Sequence, residues 1–191
     1  MSTYGFEHVT KRFGGETVFD DFSLRLPADR ASCLMGASGC GKTTLLHLLM
    51  GLERPDSGCV HTIHPQSAVF QENRLLPALS ALGNLRLVAG RKREPELAAL
   101  LAVLGLTDVH DKPVRAFSGG MKRRVAIARA LAAEYRLLLL DEPFKGLDED
   151  IRTQTARVIR QHAAGKTILL VSHDREEAAL LDAEVIRLDK R

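Results

Sequence analysis

No uncharged apolar run in the 191 residues approaches the ~18 that a membrane-spanning helix needs. The opening stretch STYGFEHVTKRF lacks the apolar centre of a signal peptide, so a cytoplasmic location is expected and any membrane role would require a separate anchor. Cysteine is scarce. Cys33, Cys40 and Cys59 are odd in number and show no CxxC spacing, which supports neither a disulfide framework nor a zinc site and fits a reducing cytosol. Long basic blocks are missing too: Arg91-Lys92-Arg93 and Lys122-Arg123-Arg124 are short runs, read as solvated faces. With a net charge of only +3, no nucleic-acid partner is expected. No repeat, low-complexity tract or interdomain linker stands out.

What is present is an ordinary globular composition, 45% hydrophobic and 27% charged. The length suits a single domain over 1–191 with an inserted helical subdomain over approximately 72–135. YGFEHV and TVFDDFSLRL read as strands joined by a turn at Gly14-Gly15, an antiparallel layer that opens the chain. ASCLM, SAVFQ, LLLL at 137–140 and KTILLVS at 166–172 show little alternation, as expected of strands buried on both faces of a mainly parallel sheet. EVIRL is one more β-like run.

Helical stripes fall between these runs: Leu97, Leu100, Leu101 and Leu104 in one, Ile151, Thr155, Val158 and Ile159 in another. Asp174 followed by Glu177 resembles a capping box opening a helix over 175–181. The alternation predicts an α/β fold, a P-loop NTPase core beside the β layer and the helical insertion.

The chemistry begins at GASGCGKTT, residues 36–44, set between ASCLM and the helical LLHLLM. Gly36, Gly41, Lys42 and Thr43 fill the pattern GxxxxGK[ST]. In that pattern backbone amides cradle phosphates, the lysine reaches the β and γ oxygens, and the hydroxyl ligates Mg²⁺. LLLLDEPF places Asp141 at the end of a buried strand, where an acid is costly unless it meets a cation. Asp141 is therefore expected to serve the metal, and Glu142 to orient or deprotonate an attacking water.

FSGGMKRRVAIARAL, residues 117–131, offers a serine at a helix N-terminus followed by two glycines. It is a second phosphate-binding end in a chain with one P-loop. This pairing, with the histidine of VSHD at a strand end, resembles the ATP-binding cassette (ABC) ATPase family over essentially the whole chain. By that resemblance Gly36, Ala37, Ser38, Gly39, Cys40, Gly41, Lys42, Thr43 and Thr44 match Walker A, and Asp141-Glu142 match Walker B with its catalytic glutamate. Gln71 of VFQEN matches the Q-loop glutamine that contacts the metal. His173 matches the switch histidine, and Leu147-Asp148 the D-loop. Ser118, Gly119, Gly120 and Met121 match the signature motif, which acts in trans; Phe13 sits where the family places the aromatic that stacks on adenine.

The resemblance implies ATP and Mg²⁺ as cofactors and a head-to-tail homodimer, or a heterodimer with a second cassette. It also implies integral membrane permease subunits, a solute-binding protein, and a peripheral position on the cytoplasmic face of the membrane. FQENRLLPALSALGNL and SGGM, with methionine where many cassettes carry glutamine, look like the ATPases of nitrate, sulfonate, taurine and thiamine-precursor uptake. Two departures are visible. Ala28-Asp29-Arg30 replaces a usual glycine-glutamate pair, and Lys145 stands at a normally small position. Members of the family commonly continue beyond a strand like EVIRL into helices that buttress the dimer, which bears on isolated dimerisation. A non-transport cassette of DNA repair, translation or cluster assembly is the alternative; the long coiled-coil insertion or second cassette usual in the first two is not found here. A GTPase would carry NKxD, which is also absent.

Overall fold

The computed structural model describes residues 3–90, 93–107 and 112–188. Two long strands, β1 (Thr3–Phe13) and β2 (Glu16–Pro27), pair antiparallel around the Gly14-Gly15 turn. A strand not anticipated from the sequence, β4 (Ser57–His61), pairs antiparallel with the other edge of β1 and gives the order β2-β1-β4. Its residues are mostly exposed, so no hydrophobic alternation betrays it.

The second sheet is parallel. β3 (Ala31–Met35), β5 (Gln66–Val69), β6 (Leu137–Asp141), β7 (Thr167–Val171) and β8 (Glu184–Arg187) take the order β5-β6-β7-β3-β8. β6 and β7 are buried at every position, the burial expected of central parallel strands. Successive side chains point to opposite faces. Leu137 and Leu139 therefore join one core, shared with the antiparallel sheet and helix α1 (Lys42–Leu49). Leu138 and Leu140 join the other, shared with the remaining helices.

Those helices are α2 (Ala81–Arg86), α3 (Glu94–Val103), α4 (Gly119–Ala132), α5 (Glu149–His162) and α6 (Arg175–Leu180). The α3 stripe Leu97, Leu100, Leu101 and Leu104 is buried as its spacing predicts. In α5, Thr155, Val158 and Ile159 are buried while Ile151 is half-buried. Helix α1 ends where Gly51 takes φ +67, with Gly51 N–H donating to Leu48 O and Leu52 N–H to His47 O. This is the Schellman pattern that a left-handed residue allows.

The start of α6 differs from the expected capping box. Asp174 caps it by accepting from the Glu176 N–H at 2.8 Å, but Glu177 turns inward and accepts from the Ser172 hydroxyl at 2.5 Å. Burial beside Ser172 wins over a reach back to the helix start. Among the described residues no helix is long and apolar enough to cross a membrane.

Candidate functional site

The three strands β6, β7 and β3 lie side by side, with Asp141 opposite Val171 and Leu34 opposite Val171. Their carboxyl ends therefore deliver three segments to one place: the glycine loop after β3, Asp141-Glu142 at the end of β6 and Ser172-His173 after β7. Ligands of open parallel sheets gather at such ends. A cleft of about 550 Å³ opens here. Phe13, Gly36, Ser38, Gly39, Gly41, Lys42, Thr43, Thr44, Gln71, Asp141, Glu142 and His173 line it, together with Glu16, Val18 and Val171. Ala37 and Cys40 belong to the same loop without lining the cleft.

The loop feeds directly into α1. Its N-cap is Gly41, with φ +95, so no side chain occupies the first N–H groups of the helix, and no acid stands in its first turn. A Cβ on Gly41 would fall 2.4 Å from the Phe19 ring, so glycine is required by space as well as by φ. The Lys42 ammonium folds over the loop and donates to Gly36 O at 2.7 Å and Ala37 O at 2.8 Å. An N-terminus with open N–H groups and an adjacent ammonium is an anion site.

Thr43 Oγ1 donates to Asp141 Oδ2 at 3.1 Å and so ties α1 to β6. Asp141 is only 5% exposed. Burial pushes its carboxyl above the ordinary range; the Thr43 bond opposes that, the neighbouring Glu142 charge adds to it, and His47 and Arg123 ease it. Glu142 has φ +45, and its N–H donates to Val171 O at 3.0 Å. Its carboxylate stands 3.4 Å from His173 Nδ1 and 3.5 Å from Lys145 Nζ. A left-handed φ at a non-glycine residue is backbone strain of the kind that collects at functional sites.

Phe13 sits at the rim, 44% exposed, with Lys11 Nζ 4.6 Å from its ring centre. Lys11 itself is buried and held by Glu53 and Arg54 O.

Ser118, Gly119, Gly120 and Met121 do not line the cleft. They open α4, where Ser118 Oγ accepts from Met121 N–H at 3.2 Å. Beside them is the 147–148 turn: a Cβ on Gly120 would stand 3.5 Å from Gly146 O and from Leu147. Asp148 caps α5 by accepting from Ile151 N–H at 3.0 Å. The serine-glycine segment and the Leu147-Asp148 turn are thus neighbours, and neither lines the cleft of its own chain.

The reading of Lys122-Arg123-Arg124 as a solvated face is wrong for both arginines. Arg123 is 4% exposed and donates to Phe70 O at 2.6 Å and Gln71 O at 2.7 Å. Arg124 donates to Leu104 O and Gly105 O, each at 2.9 Å. Unpaired carbonyls at element ends give a guanidinium better partners than water when its fork can reach two at once. The spacing could have revealed Arg123, since Ile127, Ala130 and Leu131 continue its face at helical intervals and are all buried. In the other basic run, Arg93 is solvent-facing and pairs with Glu96 at 3.4 Å, while Arg91 and Lys92 lie outside the described residues.

Arg152 was also unforeseen. From α5 it reaches Asp174 at 3.1 Å and Glu176 at 3.0 Å, bracing the turn that carries His173.

The family model described as ABC transporter matches residues 19–145, more than half of the chain. The chain belongs to the ABC transporter family. It is an ATP-binding ATPase of that family, and the expected P-loop α/β fold is the one observed. The ABC chain is 43% identical to the aliphatic sulfonates import ATP-binding protein of Pectobacterium atrosepticum, over 95% of this chain and 72% of that protein. It is 39% identical to the protein of the same name from Yersinia pestis, over 96% and 72% respectively. The dimeric structure of a bacterial ABC transporter cassette superposes with a TM-score of 0.83 at 27% identity, over 98% of this chain and 94% of that one. A bacterial Atm1-family ABC exporter with ATP bound gives 0.88 at 22% identity, over 98% of this chain and 37% of that one, a likeness of fold alone.

Proposed function

We propose that the cleft binds and hydrolyses Mg-ATP, and that the chain is the ATPase subunit of a solute importer in which two cassettes close head to tail. The observation that carries this reading is the meeting of Thr43, Asp141, Glu142 and His173 at the ends of three adjacent strands, beside a glycine loop that enters a helix. The amides of residues 36–44 and the Lys42 ammonium hold the phosphates. Lys42 donates to the neutral carbonyls of Gly36 and Ala37 at 2.7 and 2.8 Å, and charged phosphate oxygens outcompete these.

The metal fits the residues at hand. Thr43 Oγ1 and Asp141 Oδ2, 3.1 Å apart, form a hard-oxygen pair of the kind Mg²⁺ prefers, and Gln71 lines the same cleft. When bound, Mg²⁺ would neutralise charge on the transferring phosphate. Glu142 orients and polarises the attacking water, its backbone pinned to β7 by the Val171 bond. His173, next to Glu142, contacts the γ-phosphate as a donor placed where charge develops. Phe13 at the rim offers an exposed ring face to adenine.

Ser118, Gly119, Gly120 and Met121 stand apart from their own cleft, with Leu147-Asp148 beside them. This arrangement supports their closing over the nucleotide of a second cassette. ATP then bridges the pair and its hydrolysis removes the bridge. The driven partner is a pair of integral membrane permease subunits docked near Gln71 and the helices between β5 and β6, fed by a solute-binding protein. That places the cassette on the cytoplasmic face of the membrane. Import of a small solute, of the sulfonate class, is supported by the relatives' names.

The test is the solution mass of Glu142→Gln by light scattering with and without Mg-ATP, alongside its turnover. The expected result is ATP binding, a monomer that becomes a dimer with Mg-ATP, and hydrolysis slowed at least ~100-fold. Wild-type turnover would remove Glu142 from the reaction. An ATP-saturated variant that stays monomeric at all concentrations would refute closure by nucleotide alone.

A further inference from the structure

The backbone just after β5 belongs to neither a helix nor a strand. Helix α4 holds it instead. Arg123 takes Phe70 O and Gln71 O, and Arg129 takes Asn73 O at 3.2 Å and Arg74 O at 2.7 Å. Two guanidinium forks from one helix thus secure four carbonyls within five residues, and Gln71 lies among them. Ser118 caps the same helix at its start.

An apolar side chain would suffice at position 123 if packing were the need, because the residue continues the buried face of Ile127, Ala130 and Leu131. A buried cation is tolerated only where its donors and its charge are both met. Here the carbonyls take the donors, and the charges of Asp141 and Glu142 favour the guanidinium form in part against its burial. Its fork thereby grips the backbone of Gln71.

We propose that Arg123 is the positioning residue for Gln71. Its guanidinium fixes the Gln71 backbone so that the side-chain amide is presented in the cleft beside Asp141, and it couples that amide to the Ser118 end of α4. The proposal rests on the reading of Gln71 as a metal ligand. Partners that orient metal ligands typically change metal affinity 10- to 100-fold when removed.

The experiment compares the full chain with Gln71→Ala, Arg123→Met, Arg123→Lys and the double variant Gln71→Ala/Arg123→Met. Mn²⁺ affinity is measured by electron paramagnetic resonance in the presence of a non-hydrolysable ATP analogue, and affinity for the same analogue is measured in EDTA. Gln71→Ala and Arg123→Met are each expected to weaken Mn²⁺ binding by roughly tenfold. The double variant should be no weaker than Gln71→Ala, and metal-free nucleotide affinity should stay within about twofold, because residues in one chain of contacts do not add. Arg123→Lys keeps the charge without the two-pronged fork and should fall between. If Arg123→Met does not fold, Arg123→Lys and its double variant with Gln71→Ala carry the same comparison.

Unchanged Mn²⁺ affinity in Gln71→Ala would overturn the reading of Gln71, and the proposal with it. A weakened Gln71→Ala with an unaffected Arg123 variant, or with losses that multiply in the double, would overturn the proposal alone.

Discussion

Replacing Gly41 by alanine tests the joint between the β layer and the phosphate loop, and Gly39→Ala supplies its control. Both glycines have positive φ, +95 at Gly41 and +79 at Gly39, so each substitution carries a left-handed alanine costing roughly 1–2 kcal/mol. Only at Gly41 does the new methyl meet atoms: it would fall 2.4 Å from Phe19 Cζ and 2.9 Å from Val18 Cγ1, whereas nothing lies within 4 Å at Gly39. The Phe19 ring cannot simply swing away, being buried and packed 4.8 Å from Phe22. Overpacking of this kind adds about 1–3 kcal/mol. The expected losses are therefore about 1–2 kcal/mol for Gly39→Ala and about 2–5 kcal/mol for Gly41→Ala. At roughly 2–4 °C per kcal/mol for a chain of this size, the control should lose about 2–8 °C in Tm and Gly41→Ala about 4–20 °C. Thermal unfolding followed by circular dichroism reads both. Equal losses would refute the claim that Phe19 and Val18 set the limit at Gly41.

Two further outcomes are expected. Lys42→Ala should weaken ATP binding at least ~10-fold by equilibrium titration, since a charge-assisted contact to phosphate is lost; unchanged affinity would refute the phosphate-loop assignment. Glu177→Gln reports on pH. Burial holds the Glu177 carboxyl above the ordinary range, with the Ser172 bond opposing it and Asp174 adding to it. A raised carboxyl favours the fold below its unfolded value and loses that contribution as pH rises through the folded one. The glutamine keeps the neutral form at every pH, so its Tm advantage over the parent should grow from pH 4 to pH 7. A constant or shrinking difference would refute the sign.

The meeting of the glycine loop and the acid pair in one cleft was legible because each leaves a local pattern: a glycine-rich turn between a strand and a helix, and acids where a wholly buried strand ends. The helical stripe at Leu97 to Leu104 was legible for a similar reason, as one face of one helix records its burial. β4 was not, because GCVH is mostly exposed and becomes a strand only by pairing with the edge of β1. Arg123 and Arg124 were misread because a run of charge looks solvated in one dimension. Their partners, carbonyls at 70–71 and 104–105, are set by the tertiary fold. Glu177 shows the same limit: the spacing suits a capping box, but the nearby Ser172 hydroxyl offers a buried alternative that spacing cannot reveal.

The end of β6 is where this fold accepts unfavourable electrostatics. Leu137 to Leu140 fill both cores, so the strand can place polar groups only as it leaves them, and it places two acids in succession. Neither is left alone. Asp141 has the Thr43 hydroxyl and the charges of His47 and Arg123, while Glu142 has His173 and Lys145 on its two oxygens. Those partners come from α1, α4, the turn after β6 and the segment after β7. Four separate segments thus bring polar or charged partners to these two carboxylates. A protein built for stability alone would fill the strand end with apolar groups, since removing buried charges is often neutral or stabilising. Retaining the pair, with left-handed backbone at Glu142 besides, is the local inconsistency expected where a fold serves chemistry.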